Sequence, residues 1–203
     1  MLELMISFVL ISGIAMCGFR RSSLLNRGFA MQSLAIALIC FAKGNATGEF
    51  HYFVLFLLTL ITKVLIIPYI INRSIVDTKN KREMDLILSG HWSYILSGIS
   101  VALCFVFLRD FSDNLFKTGC ILIITGIILM MGRKKAVTQM IGLLTMENGI
   151  VLFEISMVKM GSIIEFGIIF EMLILALVMG VMVFRINKTF DTINTDYLSN
   201  LKE

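Results

Sequence analysis

Long apolar stretches separated by short polar connections dominate the pattern of this chain. Each stretch has roughly 17 to 25 residues, enough for a helix rising 1.5 Å per residue to cross a hydrocarbon layer about 30 Å thick. The pattern therefore predicts seven transmembrane helices. They cover residues 3–19, 24–42, 50–72, 89–108, 115–131, 138–158 and 162–185.

The composition supports this interpretation. Hydrophobic residues make up 58% of the 203 residues, charged residues 16%, and the mean hydropathy is +0.90. Soluble globular domains contain fewer apolar and more charged residues. Because no segment is left for a soluble catalytic domain, we predict an all-α, polytopic transmembrane helical bundle with no catalytic centre of its own.

Basic residues are distributed unevenly between the two ends of the predicted helices. Of the 18 Lys and Arg residues, thirteen lie in or next to alternate connections and at the C-terminal end from Arg185 onward, whereas only four lie on the opposite side. Positive charge concentrates in cytoplasmic loops of membrane proteins. We therefore expect the N-terminus outside and the C-terminus in the cytoplasm, and we assign the net charge of +4 to membrane topology, not to nucleic-acid binding.

The four cysteines give no indication of a metal centre. They form no CxxC pair, and no histidine stands beside any of them. Zinc and iron–sulfur sites need such clusters of ligands. We expect no metal or cofactor in this chain.

Three ionisable residues lie deep inside the apolar segments. They are Lys63, Glu147 and Glu171. Each costs about 2.5 to 3.5 kcal/mol at the centre of a membrane helix on insertion scales, so such residues usually have a function. Counting from the cytoplasmic ends of their helices places all three in one polar layer, where carboxylates and a lysine joined by water can pass a proton. We predict a proton relay.

Two neighbouring residues extend this prediction. Glu154 follows Glu147 by seven residues and projects from nearly the same helix face, about 10 Å nearer the outside, as a possible outer station. Pro68 lacks an N–H and is expected to free backbone carbonyls one turn back, next to Lys63. The alternative interpretation is a structural ion pair that fixes helix register.

Other polar and small residues predict contacts between helices. Gln32, Asn148 and Thr62 are candidate hydrogen-bond partners of the charged residues, or polar links between helices. Gly98 with Ala102, and Ser93 with Ser97, have the four-residue spacing of small residues at close helix contacts.

Several sequence patches carry a resemblance to known families. The segment from Gly132 to Arg185, which contains IGLLTMENG and Glu171, resembles the K-type small subunit of respiratory complex I and of multisubunit cation/proton antiporters. Over most of its length the chain is similar to the component E family of hydrogenase 4. The patches in common are FAMQSLAIAL (29–38), ITKVLIIP (61–68), MENG (146–149) and the tail DTINTDYLSNLKE.

The resemblance implies a membrane subunit of an energy-converting, formate-hydrogenlyase-like [NiFe] hydrogenase in a prokaryotic cytoplasmic membrane. Its expected partners are the lipid bilayer, antiporter-like and other small membrane subunits, and soluble subunits that hold the [NiFe] centre and iron–sulfur clusters. The implied organisation is a five-helix region (1–131), a K-like region (132–186) and a cytoplasmic tail (187–203). Two alternatives stay open, a subunit of a cation/proton antiporter without a redox partner and a structural membrane anchor.

Overall fold

The structure is a computed structural model that describes residues 2–76, 90–109, 113–133 and 136–157, and in addition Gly167 and Gly180. The chain divides into two units, Met1–Ile168 and Ile169–Glu203, and every element below belongs to the first. The described part of the chain is helical and contains no β-strand.

Six of the seven predicted segments have helical counterparts in the described residues. The predicted segment 162–185 lies outside them except for Gly167 and Gly180. The predicted segment 50–72 is one continuous stretch of α-helix, π-helix and α-helix. The elements are α1 (Leu2–Gly18), α2 (Ser22–Thr47), α3 (Phe50–Thr59), the π segment (Leu60–Ile66), α4 (Ile67–Val76), α5 (Gly90–Phe107), α6 (Asn114–Met131) and α7 (Ala136–Ser156).

Four of these helical stretches are long and apolar enough to cross a membrane. They are Ser22–Thr47, Phe50–Asn72, Gly90–Phe107 and Asn114–Met131, and α1 is a shorter apolar helix. Large apolar side chains such as Trp92 and Phe107 lie on the outer surface. Such a surface is stable against lipid and unfavourable in water. The described part of the chain therefore has the architecture of a helical membrane protein.

Two contacts define the ends of the helices relative to one another. Asp113 caps the start of α6 by accepting from the Leu115 N–H at 2.9 Å, and its other oxygen accepts from the Ser156 hydroxyl at the end of α7 at 2.5 Å. At the other end of α6, the Arg133 guanidinium donates to the carbonyl of Phe19, just beyond α1. We call these two ends of the bundle the Asp113 end and the Arg133 end.

The antiparallel pair of α6 and α7 packs backbone against backbone through four glycines. Gly119 and Gly126 on α6 are seven residues apart, as are Gly142 and Gly149 on α7. A Cβ on Gly126 would lie 2.8 Å from the carbonyl oxygen of Gly142, and a Cβ on Gly149 would lie 2.7 Å from that of Gly119. A spacing of seven places each pair on one helix face, so glycine is required along the whole contact.

The small residues of α5 fulfil only part of the sequence prediction. Ser93 and Ser97 are buried, as expected for a helix contact. Gly98 and Ala102 are exposed, and a Cβ on Gly98 would meet no described atom within 4 Å. The prediction of a close contact at Gly98 and Ala102 was wrong because the serines occupy the inward face of this helix.

A buried apolar cluster fills the bundle between the middle of the helices and the Asp113 end. It draws side chains from five helices, which makes it the core of the described unit. Its members are Ile6, Val9, Ala35, Ile36, Ile39, Cys40, Tyr52, Leu55, Leu115, Leu122, Val151, Leu152 and Ile155.

Candidate functional site: a buried lysine–glutamate pair

Lys63 lies in the seven-residue π segment, in the middle of a membrane-crossing stretch. The N–H of Ile67 bonds to the carbonyl of Thr62, five residues back, which is the hydrogen-bond spacing of a π-helix. Such segments occur inside α-helices, frequently at functional sites. The sequence predicts freed backbone carbonyls one turn before Pro68, and the π segment ends at Ile66, two residues before this proline.

Lys63 forms an ion pair with Glu147 of α7. The Lys63 Nζ and Glu147 Oε1 are 3.5 Å apart, and the two side chains are 0% and 1% exposed. Both charges have left water, so their mutual attraction must offset a desolvation cost of several kcal/mol for each ion. The structure thus brings together two of the three deep residues that the sequence indicated. Glu171 lies outside the described residues.

The polar residues near this pair connect helices to one another. The Asn148 side-chain amide, next to Glu147, donates to the Ser33 hydroxyl of α2 at 3.1 Å. The Gln32 side chain donates to the carbonyl of Val9 at 3.4 Å. The Thr62 hydroxyl instead donates to the Leu58 carbonyl of its own helix at 2.5 Å. These bonds place α2 between α1 and α7 at the level of the pair.

A further polar contact, which the sequence analysis did not identify, lies on the Arg133 side of the pair. The Asn26 side-chain amide of α2 donates to the Pro68 carbonyl at 2.9 Å and to the Asn72 side-chain oxygen at 3.0 Å. Asn26 is 1% exposed, whereas Asn72 is exposed. The sequence contains a signal for this contact, because Asn26 precedes Ser33 by seven residues and therefore lies on the same face of α2.

Glu154 is buried near the Asp113 end of α7. It is 4% exposed, and its carboxylate lies directly against Gly167, where any side chain would collide with it. Seven residues of α-helix separate it from Glu147 by about 10 Å. Its predicted role as an outer relay station stays a prediction.

Arg133 is a buried charged residue outside the Lys63–Glu147 pair, and it is 1% exposed. Its guanidinium donates to the carbonyls of Phe19 at 2.6 Å, Met16 at 3.0 Å and Cys17 at 3.4 Å. These carbonyls lie at the end of α1, where the negative end of the helix dipole attracts a cation. The Met16 carbonyl also accepts from the backbone N–H of Phe19 at 3.3 Å. Burial lowers the pKa of the Arg133 guanidinium. Arg133 is one of the thirteen basic residues that the sequence assigns to connections between helices, and in the structure its side chain joins the end of α1 to the α6–α7 connection.

We expect Arg133→Ala to destabilise the protein by about 2 to 4 kcal/mol, because several hydrogen bonds from a charged donor are lost and helix-end carbonyls remain buried. Arg133→Lys should recover only part of this, since an ammonium lacks the planar fork. The measurement is Tm in detergent, with Arg21→Ala as the control because Arg21 is exposed at the same end. Equal Tm values for Arg133→Ala and Arg21→Ala would show that the capping contact contributes nothing.

The described residues contain no group of three or more His, Cys, Asp or Glu side chains close enough to hold a metal ion. Comparison with known proteins adds no relative, since no protein-family model, curated protein or solved structure matches this chain.

Proposed function

We propose that this chain is a membrane subunit of a proton-translocating, energy-converting [NiFe] hydrogenase, in which Lys63 and Glu147 form part of an intramembrane proton relay. One observation carries the proposal. Lys63 belongs to the ITKVLIIP patch and Glu147 to the MENG patch, two patches that are fairly specific when they occur together, and their side chains form a buried ion pair. Lys63 and Glu147 are far apart in the sequence, so no local feature of the chain explains why both positions carry a charge.

The relay works by changing the charge of the pair. When Glu147 accepts a proton from hydronium, a neutral carboxylic acid and water result, and the net charge of the pair changes from zero to plus one. That extra charge is unfavourable in a low-dielectric region, so a proton is passed on. Glu171 and Glu154 are the proposed further stations. Redox-driven rearrangement in partner subunits would alter the hydration of the pair and direct protons towards antiporter-like neighbours.

The proposed orientation follows from the basic residues. Arg20 and Arg21 are exposed at the Arg133 end. The predicted topology assigns thirteen of the 18 Lys and Arg residues of the sequence to the same side as these two arginines. By the positive-inside rule this end faces the cytoplasm, with seven helices in all and the N-terminus outside. The [NiFe] centre and iron–sulfur clusters would be held by soluble partner subunits on the cytoplasmic side.

A structural anchor is the second candidate, because the pair also joins the π segment to α7 and thereby holds two helices in register. Buried polar pairs fix register in some proteins. A cation/proton antiporter subunit without redox partner shares the relay chemistry and differs in its partners. Two observations therefore distinguish the three candidate functions. They are the identity of the partner subunits and the effect of neutralising the Lys63–Glu147 pair.

The experiment for partners is a tagged pull-down from native membranes in mild detergent, with mass spectrometry and a hydrogen-evolution assay on the eluate. Untagged membranes provide the control. We expect [NiFe] and iron–sulfur subunits and hydrogen evolution in the eluate. Recovery of antiporter subunits alone would assign the chain to ion exchange, and recovery of no ion-transporting subunit would favour the anchor.

A further inference from the structure

The membrane-crossing stretch Phe50–Asn72 is buried along a row with a step of four residues. The members of this row are at most 1% exposed and are Leu55, Thr59, Lys63, Ile67 and Ile71. An α-helix turns by about 100° per residue, so the sixteen residues from Leu55 to Ile71 would place these two side chains about 160° apart. Both ends of the stretch nevertheless pack against α2. An uninterrupted α-helix therefore could not present the whole row to the same neighbour.

The π segment Leu60–Ile66 corrects this mismatch. A π turn holds one residue more than an α turn, because its hydrogen bond spans five residues instead of four. The extra residue takes up about 100° of the excess rotation, which brings Leu55 and Ile71 to within about 60° of each other. Lys63 is the buried residue of the π segment. The rotation of the two ends relative to each other is therefore set where the lysine stands.

Pro68 accounts for the place where the π segment ends. The Ile67 N–H makes a π bond to the Thr62 carbonyl, and the next residue is the proline, which has no N–H to continue the series. In an uninterrupted α-helix the Pro68 ring would collide with the carbonyl of Val64, four residues back. In the structure Pro68 is instead the second residue of α4, and the first turn of a helix tolerates proline. The proline and the π segment thus fit each other.

We propose that Pro68 is a positioning residue for Lys63, because it holds the π segment in place and the π segment directs the lysine to Glu147. Both ends of the stretch are anchored. Leu55 belongs to the buried cluster that α2 shares, and the Asn26 amide of α2 donates to the Pro68 carbonyl at 2.9 Å. A change of the π segment into α-helix must therefore rotate the residues between these anchors, where Lys63 lies. The inference rests on the proposed relay for its functional meaning, and its test measures stability alone.

Pro68→Ala distinguishes a positioning proline from one without a role. Alanine is far more favourable than proline inside a helix, so replacing a proline without a role should leave Tm unchanged or raise it. We expect Pro68→Ala instead to lower the Tm of the full-length chain in detergent by about 5 °C, because the π segment becomes α-helix and Lys63 turns away from Glu147. A Tm equal to or above that of the unsubstituted protein would overturn the proposal.

Shortening the π segment should rescue this variant. Leu65 is 58% exposed, and its deletion removes the extra residue that the π turn holds. We expect deletion of Leu65 alone to lower Tm, because the Pro68 ring then meets an ordinary α turn. Combined with Pro68→Ala, the same deletion should restore most of the Tm. Leu65→Ala combined with Pro68→Ala is the matched control, since it truncates the same side chain without shortening the chain, and it should restore nothing.

The rescue keeps the proposal testable even where Pro68→Ala alone does not fold, because the shortened variant is then expected to fold where the single variant does not. A shortened Pro68→Ala variant that is no more stable than Pro68→Ala would contradict the proposal. So would a deletion of Leu65 that lowers Tm equally with and without Pro68→Ala.

A third comparison tests whether the proline acts on the ion pair. Glu147→Gln should lower Tm in the unsubstituted protein, where it removes the partner of a buried ammonium. It should lower Tm no further in Pro68→Ala, where the two charges have separated, and should lower it again in the shortened Pro68→Ala variant. A proline with a merely structural role would leave the effect of Glu147→Gln the same in all three backgrounds, and that result would refute the positioning role.

The positioning role and the relay can fail independently. Proton translocation by the complex that carries Lys63→Met and Glu147→Gln tests the relay, and normal translocation there would refute the relay while the Tm series still assigns Pro68 its role. Failure of the Tm series with loss of translocation would refute the positioning role alone.

Discussion

Neutralising one member of the Lys63–Glu147 pair should destabilise the protein by about 3 to 5 kcal/mol, because it leaves the other charge in a low-dielectric environment. Glu147→Gln and Lys63→Met both remove a charge at nearly constant volume. The double variant should recover most of the loss, since neutral side chains of similar size replace a buried ion pair at little cost. The measurement is Tm in detergent for the single and double variants, analysed as a double-mutant cycle.

Glu3→Gln is the control for this series, because Glu3 is an exposed acidic residue of α1. It should leave Tm unchanged. If the two single effects simply add in the double variant, the two side chains do not interact energetically, and the 3.5 Å contact would carry no weight in the relay.

Gly126→Ala should destabilise the α6–α7 pair by about 3 kcal/mol, in the upper part of the range for overpacking. Its Cβ would lie 2.6 Å from the backbone nitrogen of Met146 and 2.8 Å from the carbonyl oxygen of Gly142. Both atoms belong to the backbone, so no rotamer change relieves the overlap and the helices must separate. Tm in detergent measures the effect.

Gly98→Ala is the matched control, since a Cβ there meets no described atom within 4 Å. Alanine favours a helix over glycine by up to about 1 kcal/mol, so this variant should be neutral or slightly stabilising. Similar losses of Tm at Gly126 and Gly98 would show that helix propensity, and not the close backbone contact, governs glycine in this chain.

The helices were predictable from the apolar pattern because length and hydropathy are local properties of the sequence. Their ends were less so. The predicted segment 24–42 continues as α2 to Thr47, because hydropathy falls at Lys43 while the backbone can remain helical until Gly48. Gly48 then adopts a φ of 73°, a left-handed conformation that glycine reaches without strain, and its N–H bonds to the Gly44 carbonyl.

The site was predictable as far as buried charge is a local signal. Lys63 and Glu147 stood out because an ion in an apolar segment is costly, but their contact depends on how α7 packs against the π segment, which no local pattern encodes. Arg133 was missed because an arginine between two apolar segments resembles a loop charge. The glycines of α6 and α7 did have a sequence signal, because they are spaced by seven residues on both helices. The sequence analysis identifies small residues four apart, such as Ser93 and Ser97, and therefore does not detect this longer spacing.

The most direct test of the central claim is proton translocation by the assembled complex that carries Lys63→Met and Glu147→Gln together. Sealed membrane vesicles would report hydrogen evolution and acidification with a pH-sensitive dye in the same sample. Because the double variant keeps the pair neutral and well packed, we predict normal assembly and hydrogen evolution with loss of proton translocation. Proton translocation at the unsubstituted rate would contradict the relay and leave the pair a structural contact.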